Sequence, residues 1–304
     1  MIVDARGSEE RTAAFLAIRE AVDPAHPMTR DAFDAEGKTP GRADVLLLED
    51  GEPVGCGFIS FLYGDPSSDT GFTSVRVLAE HRRRGHGTTL LRHCSVHARG
   101  LGCVSLHAVT ASTNDDMLGF LGHHGLHEIG RMQDVELELA GANTTFDVPD
   151  EVELVALTEY LDAGAHAVAL EADADIPSPA PIVTGDLARW RQRNLGPLAE
   201  RELSFVALAD GGVVGFAILG RAVPGVLVHH MTGVRRAYRG RGIAQALKRA
   251  QIAAAKDAGF ERLRTQNDLA NTAMRAVNDR LSYCSRLEQV HLGGPVLESA
   301  PDVV

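Results

Sequence analysis

Cysteine is scarce in this 304-residue chain. Cys56, Cys94, Cys103 and Cys284 are the whole complement, and no two stand in a C-x-x-C pair. That excludes a disulfide scaffold or a zinc ribbon and leads us to expect a reduced, cytoplasmic protein. No long apolar run is present, so no membrane span is expected, and because Met1-Ile-Val-Asp runs straight into a folded pattern no secretory leader is expected either. Basic charge is in short supply as well. Thirty Lys and Arg against 41 Asp and Glu leave a formal net charge of −11, which argues against nucleic-acid or anionic-membrane partners and favours the approach of a cationic amine. What remains, 44% hydrophobic and 23% charged residues, describes a globular chain long enough for two domains.

The stretch that organises the chain is Val234-Arg-Arg-Ala-Tyr-Arg-Gly-Arg-Gly-Ile-Ala244, which continues into a helical pattern through Leu247, Ala250 and Ala254. It reads as a strand, a tight turn and a helix start. Gly240 and Gly242 leave the backbone uncovered, and the first helical N–H groups have no partner within the helix. The turn therefore presents a fan of donors, reinforced by the helix dipole and by Arg239 and Arg241, that suits a phosphate or pyrophosphate.

Taken in order, residues 1–142 predict β-α-α-β-β-β-α-β-α-β, with a hairpin at Asp50-Gly51. The turn-rich stretch 141–149 reads as a linker. Residues 150–304 repeat the order, with a hairpin at Asp210-Gly-Gly212 and a stiff proline loop from Ile176 to Pro181. Val77 and Val234, Gly85 and Gly242, and Asn114 and Asn271 are each separated by 157 positions, whereas Gly55 and Gly215 are separated by 160. These spacings indicate two copies of one domain, 1–142 and 150–304, with three residues fewer in the second copy between its third and fourth strands.

The repeated unit resembles the GNAT superfamily of N-acetyltransferases. Its acyl-CoA signature is matched by Arg239-Gly-Arg-Gly242-Ile243-Ala244 and by Arg82-Arg83-Arg84-Gly85-His86-Gly87, and Thr265-Gln-Asn-Asp-Leu-Ala-Asn271 through Asn278 resembles the following signature of one subgroup. Where that subgroup continues with Gly-Phe, this chain has Ser282-Tyr283, a departure at the turn into the last strand. The resemblance implies an α/β (α+β) fold of two tandem GNAT domains, each a mixed, mostly antiparallel sheet flanked by helices. It also implies acetyl-CoA as cosubstrate and an N-acetyltransferase activity (EC 2.3.1.-) on a small-molecule or peptide amine by direct attack in a ternary complex. Backbone groups of Thr232 and Val234 are expected to hold the pantetheine arm, those from Gly240 to Ala244 the pyrophosphate, and Asn271 the pantetheine again. The corresponding residues of the first copy are Val75, Val77, Arg82 to Thr88, and Asn114. A Rossmann fingerprint is disfavoured because Gln245 and Leu90 stand at its third glycine, and so is a P-loop, which lacks its Gly-Lys-Ser/Thr ending.

Amine attack on a thioester needs a base. The resemblance places a carboxylate four residues before the motif valine. His230 stands there in the second copy, expected on the same face as Thr232 and Val234, while Thr73 in the first copy cannot serve. Glu171, Asp173 and Asp175 are alternative bases. The family's frequent tyrosine acid is replaced by Leu121 and by Asn278. The second copy is therefore expected to be catalytic and the first to be structural, regulatory or a second CoA site; the alternative is a non-catalytic acyl-CoA-binding module. His93 with His97, and the His123, His124 and His127 group, read as solvated or capping histidines, so no metal is expected. A monomer or homodimer is expected.

Overall fold

The computed structural model of the chain describes residues 1–180 and 183–298. The first copy comprises β1 (Ile2–Asp4), α1 (Glu9–Val22), α2 (Arg30–Glu36), β2 (Ala43–Glu49), β3 (Glu52–Phe61), β4 (Thr70–Val77), α3 (His86–Gly100), β5 (Ser105–Ala111), α4 (Asp115–His123) and β6 (His127–Glu138). The second comprises β7 (Glu153–Ala156), α5 (Asp162–Asp173), α6 (Leu187–Asn194), β8 (Phe205–Ala209), β9 (Gly212–Arg221), β10 (Val226–Val234), α7 (Ile243–Asp257), β11 (Arg262–Asp268), α8 (Thr272–Arg280) and β12 (Cys284–Pro295). Pro181, the end of the expected proline loop, lies outside the described residues.

Local chemistry sets the turns. Asp50-Gly51 and Asp210-Gly211 have positive φ at both positions, 52° and 90°, then 50° and 76°, the left-handed pair that a two-residue hairpin demands. The departure at Ser282 is absorbed without loss of the turn: Ser282 takes φ 64°, close to the 81° of its counterpart Gly125, and β12 follows.

The chain divides into two compact units. Met1–Ile129 with the stretch from Val290 onward form the first, and Gly130–Gln289 the second. In the first, the strands run β1-β2-β3-β4-β5, followed by the Val290–Pro295 end of β12; in the second, they run β7-β8-β9-β10-β11-β6-β12. These breaks differ from the 141–149 linker expected to separate 1–142 from 150–304. The reason is strand exchange. The open edge of β11 pairs antiparallel with β6 from the first copy, Leu263 opposite Leu137, while β5 is flanked by the end of β12 from the second copy. An unpaired edge needs a ladder partner, and either copy's last strand carries the pattern to supply one.

Each unit buries a helix on its sheet. In the first unit, α3 packs Leu90, Leu91, Cys94 and Ala98 onto Val54, Ile59 and Val75. In the second, α7 packs Ile243 and Leu247 under Val214 and Val234, and on the other face α5 and α6 bring Val168 and the fully buried Trp190 against Phe216. Each such side chain contributes about 1.5–3 kcal/mol, which fixes the strand that leads into the glycine turn.

Candidate active site

The site grows from a fork between parallel strands. β10 and β11 pair over Val226–Val228 and Arg262–Arg264, and no further among the described residues. β4 and β5 likewise pair only over Thr70–Phe72 and Ser105–His107. The N–H of Arg235 donates to Val214 O at 2.9 Å, so by strand alternation the backbone groups of Val234 and Thr232 face the opposite edge, into the fork. In the first unit, Leu78 N–H donates to Val54 O at 3.0 Å, and Val77 and Val75 face the fork there. Such an edge accepts an extended chain bearing amides.

At the open end of each fork lies the glycine turn. Gly85 and Gly242 are the N-caps of α3 and α7, with φ 84° and 83° and no capping side chain. A Cβ built on Gly85, Gly240 or Gly242 would meet nothing within 4 Å. The first-turn amides of each helix are thus uncovered, and the residues fit a pyrophosphate. Ile243 directs its side chain into the core, with Ala244 packed beside it, so only their backbone serves the cradle. Matched bonds stiffen the two turns. Arg82 Nε donates to Val77 O and Arg239 Nε to Val234 O, at 3.1 and 3.0 Å, and Arg84 and Arg241 donate to the carbonyls of Glu80 and Ala237 at 3.1 and 2.9 Å. Asn114 and Asn271 each cap the next helix, accepting from Met117 N–H at 3.2 Å and Met274 N–H at 3.1 Å.

The two sites differ in the side chains around this shared frame. In the first, Glu49 pairs with His81 Nδ1 at 2.8 Å, His86 Nε2 at 3.2 Å and Arg84 at 3.3 Å; the histidines and the arginine hold its carboxyl below the usual range. The donor atoms of Glu49, His81 and His86 lie within 4.8 Å of one another, a group the sequence reading did not single out; its oxygens are already engaged by the two imidazoles and the guanidinium. Arg83 pairs with Asp116 at 3.1 Å, Thr88 Oγ1 meets His124 Nε2 at 3.0 Å, and the Phe120 ring rests on Gly87. Thr73 is buried and donates to Phe58 O at 2.7 Å, a core role.

In the second unit, the acids of α5 and the loop after it reach the turn. Asp175 accepts from Arg236 and from Arg239, each at 2.7 Å, and these two guanidinium groups hold its carboxyl well below the carboxylate range. Glu171 accepts the backbone N–H of Arg236. Both residues therefore order the turn, and Asp175, ion-paired twice, is a poor base. Asp173 is buried against Thr184, and burial raises its pKa.

His230 corrects the expected geometry. The β9–β10 ladder shifts register between His229 and Met231, so His230 is the extra residue of a bulge and the alternation restarts there. Val234 packs on Ile243 and Leu247 of α7, whereas His230 Nδ1 lies 3.3 Å from the carbonyl of Asn194 at the end of α6. It is therefore not on the face of Val234. Its ring covers Gly220, where any Cβ would collide with it. Protein packed around the ring lowers its pKa, with the Asn194 carbonyl opposing, while one edge stays open to solvent. The β3–β4 ladder has no such bulge, running unbroken from Gly71 to Val77. Asn278 is buried, its Oδ1 accepting from Lys248 Nζ at 2.9 Å. That lysine escaped sequence reasoning; the 157-residue offset, which places Leu91 opposite it, was the signal available.

Fork, turn and capping asparagine, present once in each unit, define a tandem N-acetyltransferase fold. The model of the acetyltransferase (GNAT) family matches residues 10–126 and again 168–283, and the chain belongs to that family. Over 174 residues it is 33% identical to a mycothiol acetyltransferase from Brachybacterium faecium, a match covering 56% of this chain and 48% of that protein, about half the relative's length. Among solved structures, a tandem GNAT protein from the clavulanic acid biosynthesis pathway superposes with a TM-score of 0.79 at 19% identity, covering 99% of both chains. A GCN5-related N-acetyltransferase from Sphaerobacter thermophilus gives 0.77 at 18%, covering 98% of this chain and 97% of that one. No helix among the described residues is long and apolar enough to cross a membrane.

Proposed function

We propose that the second unit transfers an acetyl group from acetyl-CoA to the amine of a small molecule or peptide, and that the first unit is structural, regulatory or a second CoA site. The observation that carries this division is the bulge at His230, which β4 lacks. It leaves a solvent-accessible imidazole two residues past Val228, where the β10–β11 pairing ends, with its ring over Gly220 of β9, whereas Thr73 offers only a hydroxyl already bonded within the core. The amides of Gly240 to Ala244 would hold the pyrophosphate, the backbone of Thr232 and Val234 the pantetheine arm, and Asn271 its far edge. Acetyl-CoA supplies an activated acyl carbon. The amine nitrogen bonds to that carbon, the carbon–sulfur bond breaks with its electron pair left on sulfur, and His230 takes the amine proton. Because its pKa is lowered, His230 is the neutral, proton-accepting form at neutral pH.

Incubating the protein with acetyl-CoA and a panel of polyamines, aminoglycosides, amino acids and peptides tests this reading. Thiol release above the hydrolysis background with at least one acceptor is expected; release that no acceptor raises would make the protein an acyl-CoA-binding module instead. His230→Gln should lower kcat by about 10²-fold. The wild-type rate should fall as pH drops through the lowered imidazole pKa, and that acid limb should vanish in the variant. A pH–rate profile that the substitution leaves unchanged would remove His230 from the mechanism.

A further inference from the structure

The second unit buries a polar cluster where the first buries hydrocarbon. Lys248, 1% exposed, donates to Asn278 Oδ1 at 2.9 Å and lies 5.3 Å over the ring of Tyr283. Tyr283 OH meets His229 Nε2 at 2.7 Å. Gln251 is fully buried against His229, and Nδ2 of Asn278 has no hydrogen-bond partner. At the 157-residue offset, the residues opposite Lys248, Asn278, Tyr283 and Gln251 are Leu91, Leu121, Leu126 and Cys94, all 3% exposed or less and all in one apolar core.

This fold therefore holds leucine at three of these places, and cysteine at the fourth, without difficulty. Burying an ammonium against a single neutral amide costs several kcal/mol, whereas burying leucine contributes about 1.5–3 kcal/mol. Burial draws the Lys248 pKa down to about 7. The first unit shows that packing does not require the polar set.

The cluster also has a defined place. His229 follows Val228, the last residue of β10 paired with β11, so it marks the apex of the fork. A donor whose pyrophosphate sits on the turn after Val234, and whose arm runs along the free edge past Thr232, has its reactive end near that apex. Asn278 lies two turns into α8, seven residues after its N-cap Asn271, and the Lys248 side chain leans back toward the N-terminus of α7, where the fork opens.

Lys248 Nζ donates to Oδ1 of Asn278, and in its ammonium form it offers no acceptor to the amide nitrogen. We infer that Lys248 is a positioning residue: by holding Oδ1 of Asn278 it fixes the amide with Nδ2 toward the fork apex, where Nδ2 donates to the sulfur of the departing CoA. This rests on the acetyl-CoA reading of the second unit.

The thiol of bound CoA, titrated by thiolate absorbance in the protein–CoA complex, tests it without need of an acceptor. In the wild type the bound thiol should titrate at least about one unit below free CoA. That shift should disappear in Lys248→Leu and equally in Asn278→Leu, with Lys248→Met as a second variant should leucine fail to fold. Lys248→Leu should also raise the urea midpoint while lowering kcat by about 10²-fold, with the KM for acetyl-CoA little changed. A bound thiol that titrates normally in the wild type overturns the inference. A shift retained in either variant does the same, as does a destabilised Lys248→Leu whose thiol shift persists. Failure of the wild type to bind CoA would instead overturn the acetyl-CoA reading, and this inference with it.

Discussion

Gly242→Glu is expected to abolish turnover, lowering kcat/KM by about 10³-fold, while Gly85→Glu leaves it close to wild type. Each glycine is the N-cap of its helix, their φ values are 83° and 84°, and a Cβ at either meets nothing within 4 Å. The backbone strain of a non-glycine residue, about 1–2 kcal/mol, is thus the same in both variants. What differs is which cradle receives a carboxylate among the amides proposed to hold phosphate oxygens. A calorimetric titration with CoA separates the two sites: Gly242→Glu should lose the binding event that supports turnover. Inactivity of Gly85→Glu with normal activity of Gly242→Glu would reverse the assignment of the catalytic unit.

The second large effect concerns stability. Asp162→Ala should destabilise the second unit by about 3 kcal/mol. The Asp162 carboxylate is fully buried at the start of α5, with Oδ2 accepting from Arg191 Nε at 2.8 Å and both oxygens accepting from Arg201, at 2.8 and 3.0 Å. The pairing with Asp162 raises the pKa of Arg201. Removing the carboxylate leaves two guanidinium groups converging on a site with no anion and takes a negative charge from the helix N-terminus. Trp190, the one tryptophan of the chain, lies beside Arg191 on α6, so its fluorescence in a urea titration reports on this unit. A midpoint equal to wild type would show that the three residues contribute nothing net.

Most of the fold was legible because its signals are local. Asp-Gly hairpins, the Arg-Gly turn and the capping asparagines are written in short stretches, and the 157-residue spacing repeats them. The two glycine turns proposed to hold the cofactor were legible for the same reason. Three features were hidden. The bulge at His230 is a register shift against Leu219 and Ile218, and nothing in the alternation of β10 announces it. The roles of Glu171 and Asp175 depend on a loop meeting arginines about 60 residues away in sequence. Lys248, which shares the buried side of α7 with Leu247, Gln251 and Ile252, reads as a side chain that extends to solvent, and only its counterpart Leu91 shows the site to be interior.

The exchange of last strands bears on the order in which the protein is made. The second unit is one continuous segment, Gly130–Gln289, whereas the first needs the stretch from Val290 onward to flank β5. During synthesis the N-terminal unit therefore waits, with its β5 edge open, until the whole of its successor has left the ribosome. The unit translated first is the one completed last.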